Sequence, residues 1–260
     1  MQLIDNPRGN YRFLSGSAPY SSGVVAMPGY EIVHVTLSRP CPYRQGFDLI
    51  AQHLNAEGRP RQALCAIELR SPKPFTFAGF NTFNEGYQEL LAGWELLVDG
   101  ANPVARTNVA PAIAPPAEPS LYAFSYTVPL SVVLPVGGCG AAAGPTFVVA
   151  GAGDLKRGGL AAENVIRPGE TSAAAMREKA VYVMEVMQER LNGLQVGWES
   201  VTAVDIYTVY PIQPFLAKAI LTVMGPAAIH GVHWFYSRPP IADLAFEMDV
   251  RGVRRELLLA

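Results

Sequence analysis

The stretch FNTFNEGYQELLAGWELLVDGANPVAR, residues 80–106, decides how the rest of the chain is read. Phe83, Tyr87, Leu90, Leu91, Trp94 and Leu97 fall at i, i+4, i+7, i+8, i+11 and i+14, one face of a helix with 3.6 residues per turn. Such a face must pack on something, so the spacing predicts an amphipathic helix over 81–98. Asn102 and Pro103 end the pattern, because the residue before a proline is pushed out of the α region. Arg106 then stands just past the helix at the mouth of a strand, where a guanidinium is suited to hold a carboxylate bidentately.

Working outward, the first half reads as a helix over 46–57, a strand over 63–70, the helix just described, a strand over 106–113, the Pro115-Pro116 turn and a strand over 121–128. The second half reads the same way. A helix over 172–191 carries Met176, Ala180, Val183, Met184, Met187 and Leu191 on one face, with Thr171 or Ser172 as N-cap. A strand over 201–209, a helix over 214–224, a strand over 231–236, the Pro239-Pro240 turn and a strand over 244–251 follow. The two double-proline turns lie 124 residues apart (239 − 115), which argues for internal duplication.

Composition sets the limits. The chain has 260 residues, half of them apolar and 16% charged, which is enough for a large core and excludes disorder. A net charge of −2 offers no basic field for nucleic acid, and the basic cluster Arg251, Arg254 and Arg255 reads as a solvated tail. The N-terminus has no secretory pattern and no stretch is apolar enough for a membrane helix, so a cytoplasmic protein is expected. Cys41, Cys65 and Cys139 match neither a disulfide framework nor a zinc pattern. The small-residue run VLPVGGCGAAAGP lacks a phosphate-loop spacing and reads as a connection between domains.

In order and spacing, these segments resemble the Rid (YjgF) family. Ala18-Pro19-Tyr20-Ser21-Ser22-Gly23 is similar to the family's G-P-Y-x-x-G loop, Asn84-Glu85-Gly86-Tyr87 to its N-x-x-Y helix start, and Val104-Ala105-Arg106 with Val109 to its P-A-R-x-x-V strand. The resemblance implies an α+β fold of two tandem Rid-like (chorismate mutase-like) domains, each a mixed β-sheet with two helices packed on one face. These would be residues 1–128 and a degenerate copy over 146–260, joined by 129–145. In the second copy the position of the substrate arginine falls near Gly231, while Glu247 is placed like the family's acidic residue. The resemblance also implies no cofactor, and association of chains as a trimer or a multiple of it.

The candidate site follows. Arg106 is the carboxylate anchor, with a surface ion pair as its plain alternative. Glu247 and Asp249 share a strand face that lines a cleft or faces water, and Glu247 would need burial to serve as general acid and base. Tyr20 aims its hydroxyl at a substrate amine or a water, or is simply packed. Asn84 bonds the substrate or caps its helix, and His233 lies near the missing second arginine. Phe80, with Phe75, Phe77 and Phe83, lines an apolar pocket or belongs to the core. A metal between His230 and His233 is awkward, since three-residue spacing on a strand sends the two rings to opposite faces.

The leading expectation is a cofactor-independent deaminase that hydrolyses an enamine or imine of a small unsaturated carboxylic acid, of the 2-aminomuconate type. Arg238, Arg70 or Arg39 would take a second carboxylate. A chorismatase-like hydrolase and a non-catalytic ligand-binding or interaction protein are the alternatives.

Overall fold

The computed structural model describes residues 1–130, 144–156 and 159–260, so Cys139 and most of the expected connection over 129–145 lie outside the described residues. The strands are β1 (Leu3–Asn6), β2 (Tyr11–Leu14), β3 (Gly23–Ala26), β4 (Tyr30–Pro42), β5 (Leu64–Arg70), β6 (Ala105–Pro111), β7 (Ser120–Pro129), β8 (Phe147–Gly153), β9 (Ala203–Tyr207), β10 (His233–Phe235), β11 (Ser237–Arg238), β12 (Glu247–Gly252) and β13 (Arg255–Leu259). Three long helices, α1 (Tyr43–Ala56), α2 (Phe77–Gly93) and α3 (Ala173–Gly193), stand among the described residues. The fold is α+β, with two mixed sheets.

The sheets repeat one topology. One contains the order β6-β5-β7-β4 and the other β10-β9-β12-β8, so the first, second, third and last strands of each half occupy matching places. In both, the second and third strands pair parallel and the others antiparallel. The halves also exchange edges. β3, and through it β2 and β1, pairs with β8, while β11 pairs with β6 and β13 lies parallel on β4. Each sheet therefore holds strands from both ends of the chain.

The layers run helix, sheet, sheet, helix. Phe47, Ile50 and Leu54 of α1 and Tyr87 and Leu91 of α2 bury against Val35, Ile67, Leu69 and Phe124. Met176, Ala180, Val183, Met184, Met187 and Leu191 of α3, the six residues of the expected stripe, bury against Val149, Val204, Met248 and Val250. A third cluster, with Tyr11, Phe13, Ile32, Ala66, Ala105 and Ala150, joins the sheets face to face.

Several elements differ from expectation. Thr76 caps α2 by accepting from the Gly79 amide at 3.0 Å, so the helix starts before 81, and Glu95 at φ +56° turns the chain left-handed and ends it before 98. Its buried face is Phe80, Asn84, Tyr87 and Leu91, rotated from the predicted one, and Leu97 is exposed. The helix expected over 214–224 is a chain of short helical turns across 213–230, broken at Gly225, whose φ is +55°. The basic C-terminal cluster is not a solvated tail. Arg251 is buried on Asp205 at 2.6 Å, and Arg254 and Arg255 reach the carboxylate of buried Glu31 at 3.1 and 3.0 Å, which fastens β13 to β4.

Lys179 interrupts the apolar stripe of α3 for a reason. Its ammonium, fully buried, meets Asp154 at 2.7 Å and the Ile166 carbonyl, while the other Asp154 oxygen accepts the Ala245 and Phe246 amides at 3.0 and 3.1 Å. The pair thus ties α3 to the turn after β8 and to the chain entering β12. Breaking a buried pair leaves an uncompensated charge, so Lys179→Met is expected to lower unfolding stability by about 3–5 kcal/mol. Denaturant titration measures this, and a loss below about 1 kcal/mol would mean that the pair is not holding these elements together.

Candidate active site

β6 brings Arg106 to the edge of its sheet, where only the short β11 lies beyond. There the guanidinium is buried, 3% exposed, and ringed by aromatic faces: Tyr87 at 4.6 Å, Tyr20 at 4.8 Å, Phe80 at 5.5 Å and Phe83 at 5.6 Å. One nitrogen, Nη2, donates to the Asn84 side-chain carbonyl at 2.7 Å, and the other, Nη1, is buried without a partner. Arginine stays protonated even though burial draws its pKa downward, so this is a desolvated cation with a donor to spare. Tyr20 is held over it by the loop 15–22. Asn102 donates to the Pro19 carbonyl at 2.8 Å and Ser21 to the Pro103 carbonyl at 3.1 Å.

From the opposite sheet, β12 supplies Glu247, 4% exposed. Its carboxyl lies over Gly151 of β8, where a Cβ would come within 2.4 Å of Oε1. Burial lifts its pKa from the usual 4.5 to about 8, against the pull of Arg190 and Arg106 and with the help of Asp154. At neutral pH the group is therefore largely a carboxylic acid.

Arg106 and Glu247 line one cavity of about 630 Å³, together with Tyr20, Phe80, Asn108 and Arg190. Gly151 forms part of its floor, and Ile241 and Leu244, which cluster with Phe80, Phe75 and Phe77, form an apolar wall. Arg190 reaches in from α3, anchored by donation to the Ala150 and Gly151 carbonyls at 2.7 and 3.2 Å. The cavity thus sets a neutral carboxyl beside guanidiniums from both halves.

Four of the six expected residues, Tyr20, Phe80, Arg106 and Glu247, line this cavity. Asn84 does not. It lies on the buried face of α2, and its side-chain oxygen engages Arg106. His233 is elsewhere, exposed on β10 with Nδ1 at 2.8 Å from Asp205, whose carboxylate raises its pKa. None of the arginines expected for a second carboxylate lines the cavity. Arg70 is buried on Glu68 with its guanidinium 3.8 Å from the Tyr122 ring centroid, and Arg39 and Arg238 are exposed. Arg190 and Asn108 were the residues missed. Each carried a signal: Arg190 falls at i+3 from Met187 on the α3 stripe, and Asn108 at i+2 from Arg106 on β6.

Among the described residues, the carboxyls close enough to share a metal are Glu68, Asp205 and Asp249, all between the sheets. They already have partners. Arg70 meets Glu68 at 3.2 Å, Arg251 meets Asp205 at 2.6 Å, and Thr107 and Tyr207 donate to Asp249 at 2.6 and 3.1 Å. Burial beside the other two pushes the Asp249 pKa well above its usual value.

The model of the family described as "2-aminomuconate deaminase CnbZ" matches residues 3–257. The chain belongs to that family. It is 42% identical over 253 residues, 96% of each chain, to the 2-amino-5-chloromuconate deaminase of Comamonas testosteroni. Among solved structures it is similar to a chorismatase, with 12% identity and a TM-score of 0.46 over 89% of this chain and 77% of that one. A cyanuric acid hydrolase aligns with 8% identity and a TM-score of 0.40, over 88% and 69%.

The raised Glu247 pKa has a stability consequence. The folded protein holds this proton up to about pH 8 while the unfolded chain releases it near 4.5, so the group costs stability increasingly as pH rises between those values. Glu247→Gln removes that cost. The Tm of the variant relative to the parent is expected to climb between pH 5 and pH 9; a difference that stays flat with pH would rule out the raised carboxyl.

Proposed function

We propose that the chain is a deaminase acting on 2-aminomuconate or a closely related unsaturated amino diacid, hydrolysing the enamine to the oxo acid and ammonia with no cofactor. The observation that carries this reading is a buried, neutral Glu247 in the same cavity as a desolvated Arg106 with an unpartnered donor. Membership of the 2-aminomuconate deaminase family and the 42% identity to a chloromuconate deaminase support it.

In this reading Arg106 takes the carboxylate next to the amino-bearing carbon and Asn84 holds Arg106 in place. Arg190, from the other half, faces the distal carboxylate, and the wall of Phe80, Ile241 and Leu244 flanks the unsaturated chain. Glu247 protonates the enamine at carbon, giving an iminium. Its carboxylate then takes a proton from water as the oxygen adds to the iminium carbon. The recovered proton passes from Glu247 to the nitrogen, the C–N bond breaks and ammonia leaves, and loss of the hydroxyl proton completes the carbonyl. Tyr20, half-buried at the cavity wall, orients the water. The buried guanidinium also favours the substrate as dianion without needing to move.

The matching strand orders and the pairing of Arg106 from one half with Glu247 from the other support the further reading of the halves as two Rid-like copies that have divided one site.

Purified protein mixed with 2-aminomuconate is expected to release ammonia and bleach the diene absorbance, and Arg106→Ala to lose on the order of 100-fold or more in kcat/KM. Because the resting enzyme needs the protonated acid, kcat/KM should be level below pH 8 and fall as pH rises through about 8. Full activity in Arg106→Ala, or a rate that instead rises through that pH, would remove the assigned roles.

A further inference from the structure

Among the described residues, five side chains hold a buried nitrogen with no partner: Asn6, Arg12, His53, Arg106 and Asn108. Only Arg106 and Asn108 of these line the cavity. They sit two residues apart on β6 and so share one face of the strand. Asn108 is 3% exposed, and its amide is oriented from behind: Ser71, fully buried, lies with Oγ 2.9 Å from Asn108 Oδ1 and donates to it. With the carbonyl engaged by the hydroxyl, the NH2 is the end left over. A buried donor without an acceptor is unfavourable unless something arrives to accept it, and two such donors side by side with no acceptor between them match an anion.

We infer that the Asn108 side-chain amide is a second donor to the carboxylate held by Arg106, so that guanidinium and amide together fix the acid group beside the reacting carbon. This rests on the reading of the cavity as the substrate site. A carboxylate has lone pairs enough to accept from Arg106 Nη1 and Asn108 Nδ2 at once. Ser71 is then a positioning residue, holding the amide so that it offers hydrogens rather than oxygen. The arrangement selects an anionic oxygen at this end of the cavity and rejects a neutral amide or ester, which returns fewer acceptors.

The test compares Asn108→Ala and Asn108→Asp with the parent, using 2-aminomuconate turnover and the affinity of cis,cis-muconate by calorimetry. Because the carboxylate is held alike before and during reaction, Asn108→Ala is expected to raise KM and the muconate Kd together by roughly 10-fold or more, with kcat within about threefold. Asn108→Asp keeps the shape and the bond to Ser71 but sets an anion against an anion, so its KM and Kd should rise further still. If these variants fold poorly, Ser71→Ala supplies the second measurement, with a several-fold rise in KM and little change in kcat. A KM and Kd within twofold of the parent in Asn108→Ala, while Arg106→Ala abolishes binding, would overturn the role of Asn108 and leave the site standing. Muconate binding that is indifferent to Arg106→Ala as well would overturn the reading of the cavity itself.

Discussion

The structure depends on how closely two sheets approach at Gly151. A Cβ there would lie 2.4 Å from Glu247 Oε1 and 3.1 Å from the Thr107 side chain, so a side chain at this position would displace the carboxyl folded between β8 and β6. That approach buries Glu247, and burial keeps its proton at neutral pH. It also carries the edge of β6, with Arg106 and Asn108, to the cavity that Glu247 lines from the other sheet. The Thr107 hydroxyl, directed to the opposite side from its neighbours, donates to Asp249 at 2.6 Å and fastens the same strand across the interface.

The interior between the sheets shows why Glu247 and not another acid has this character. Asp205 lies 2.6 Å from Arg251 and 2.8 Å from His233, and these partners hold its pKa below the usual value despite burial. Asp249, two residues from Glu247, is desolvated beside two acidic neighbours, which pushes its pKa well above the usual value, but it is shut in. Glu247 combines desolvation with a wall on the cavity. A proton held by an enclosed carboxyl is a structural matter, whereas one held at a cavity wall can be exchanged with a ligand.

Much of this was legible in the residues. The six apolar positions of α3 mark its buried face without ambiguity, and the paired proline turns point to the repeat that the strand orders 6-5-7-4 and 10-9-12-8 display. Hydropathy misled wherever a polar side chain was buried for a purpose. On α2 it favoured Phe83 and Leu90 over Asn84, because nothing in the periodicity says that Arg106 needs an acceptor there. The C-terminal strand was hidden by Arg254 and Arg255, whose partner Glu31 lies more than two hundred residues away in the chain. Edge strands exchanged between distant segments leave no local trace, since their reward comes from pairing and not from propensity.

The matching strand orders bring residues of both halves to one cavity. Glu68 pairs with Thr107 and Asp205 with His233, and the carboxyls of Glu68 and Asp205 meet between the sheets. On this register Thr107, not Arg106, stands where His233 stands, and Arg106 lies on the other face of β6, against Phe80, Phe83 and Tyr87 of α2. The first half supplies Arg106 to the cavity and the second supplies Glu247. Neither half can complete the pair alone. The exchanged edges β3 on β8 and β13 on β4 make separation of the halves costly.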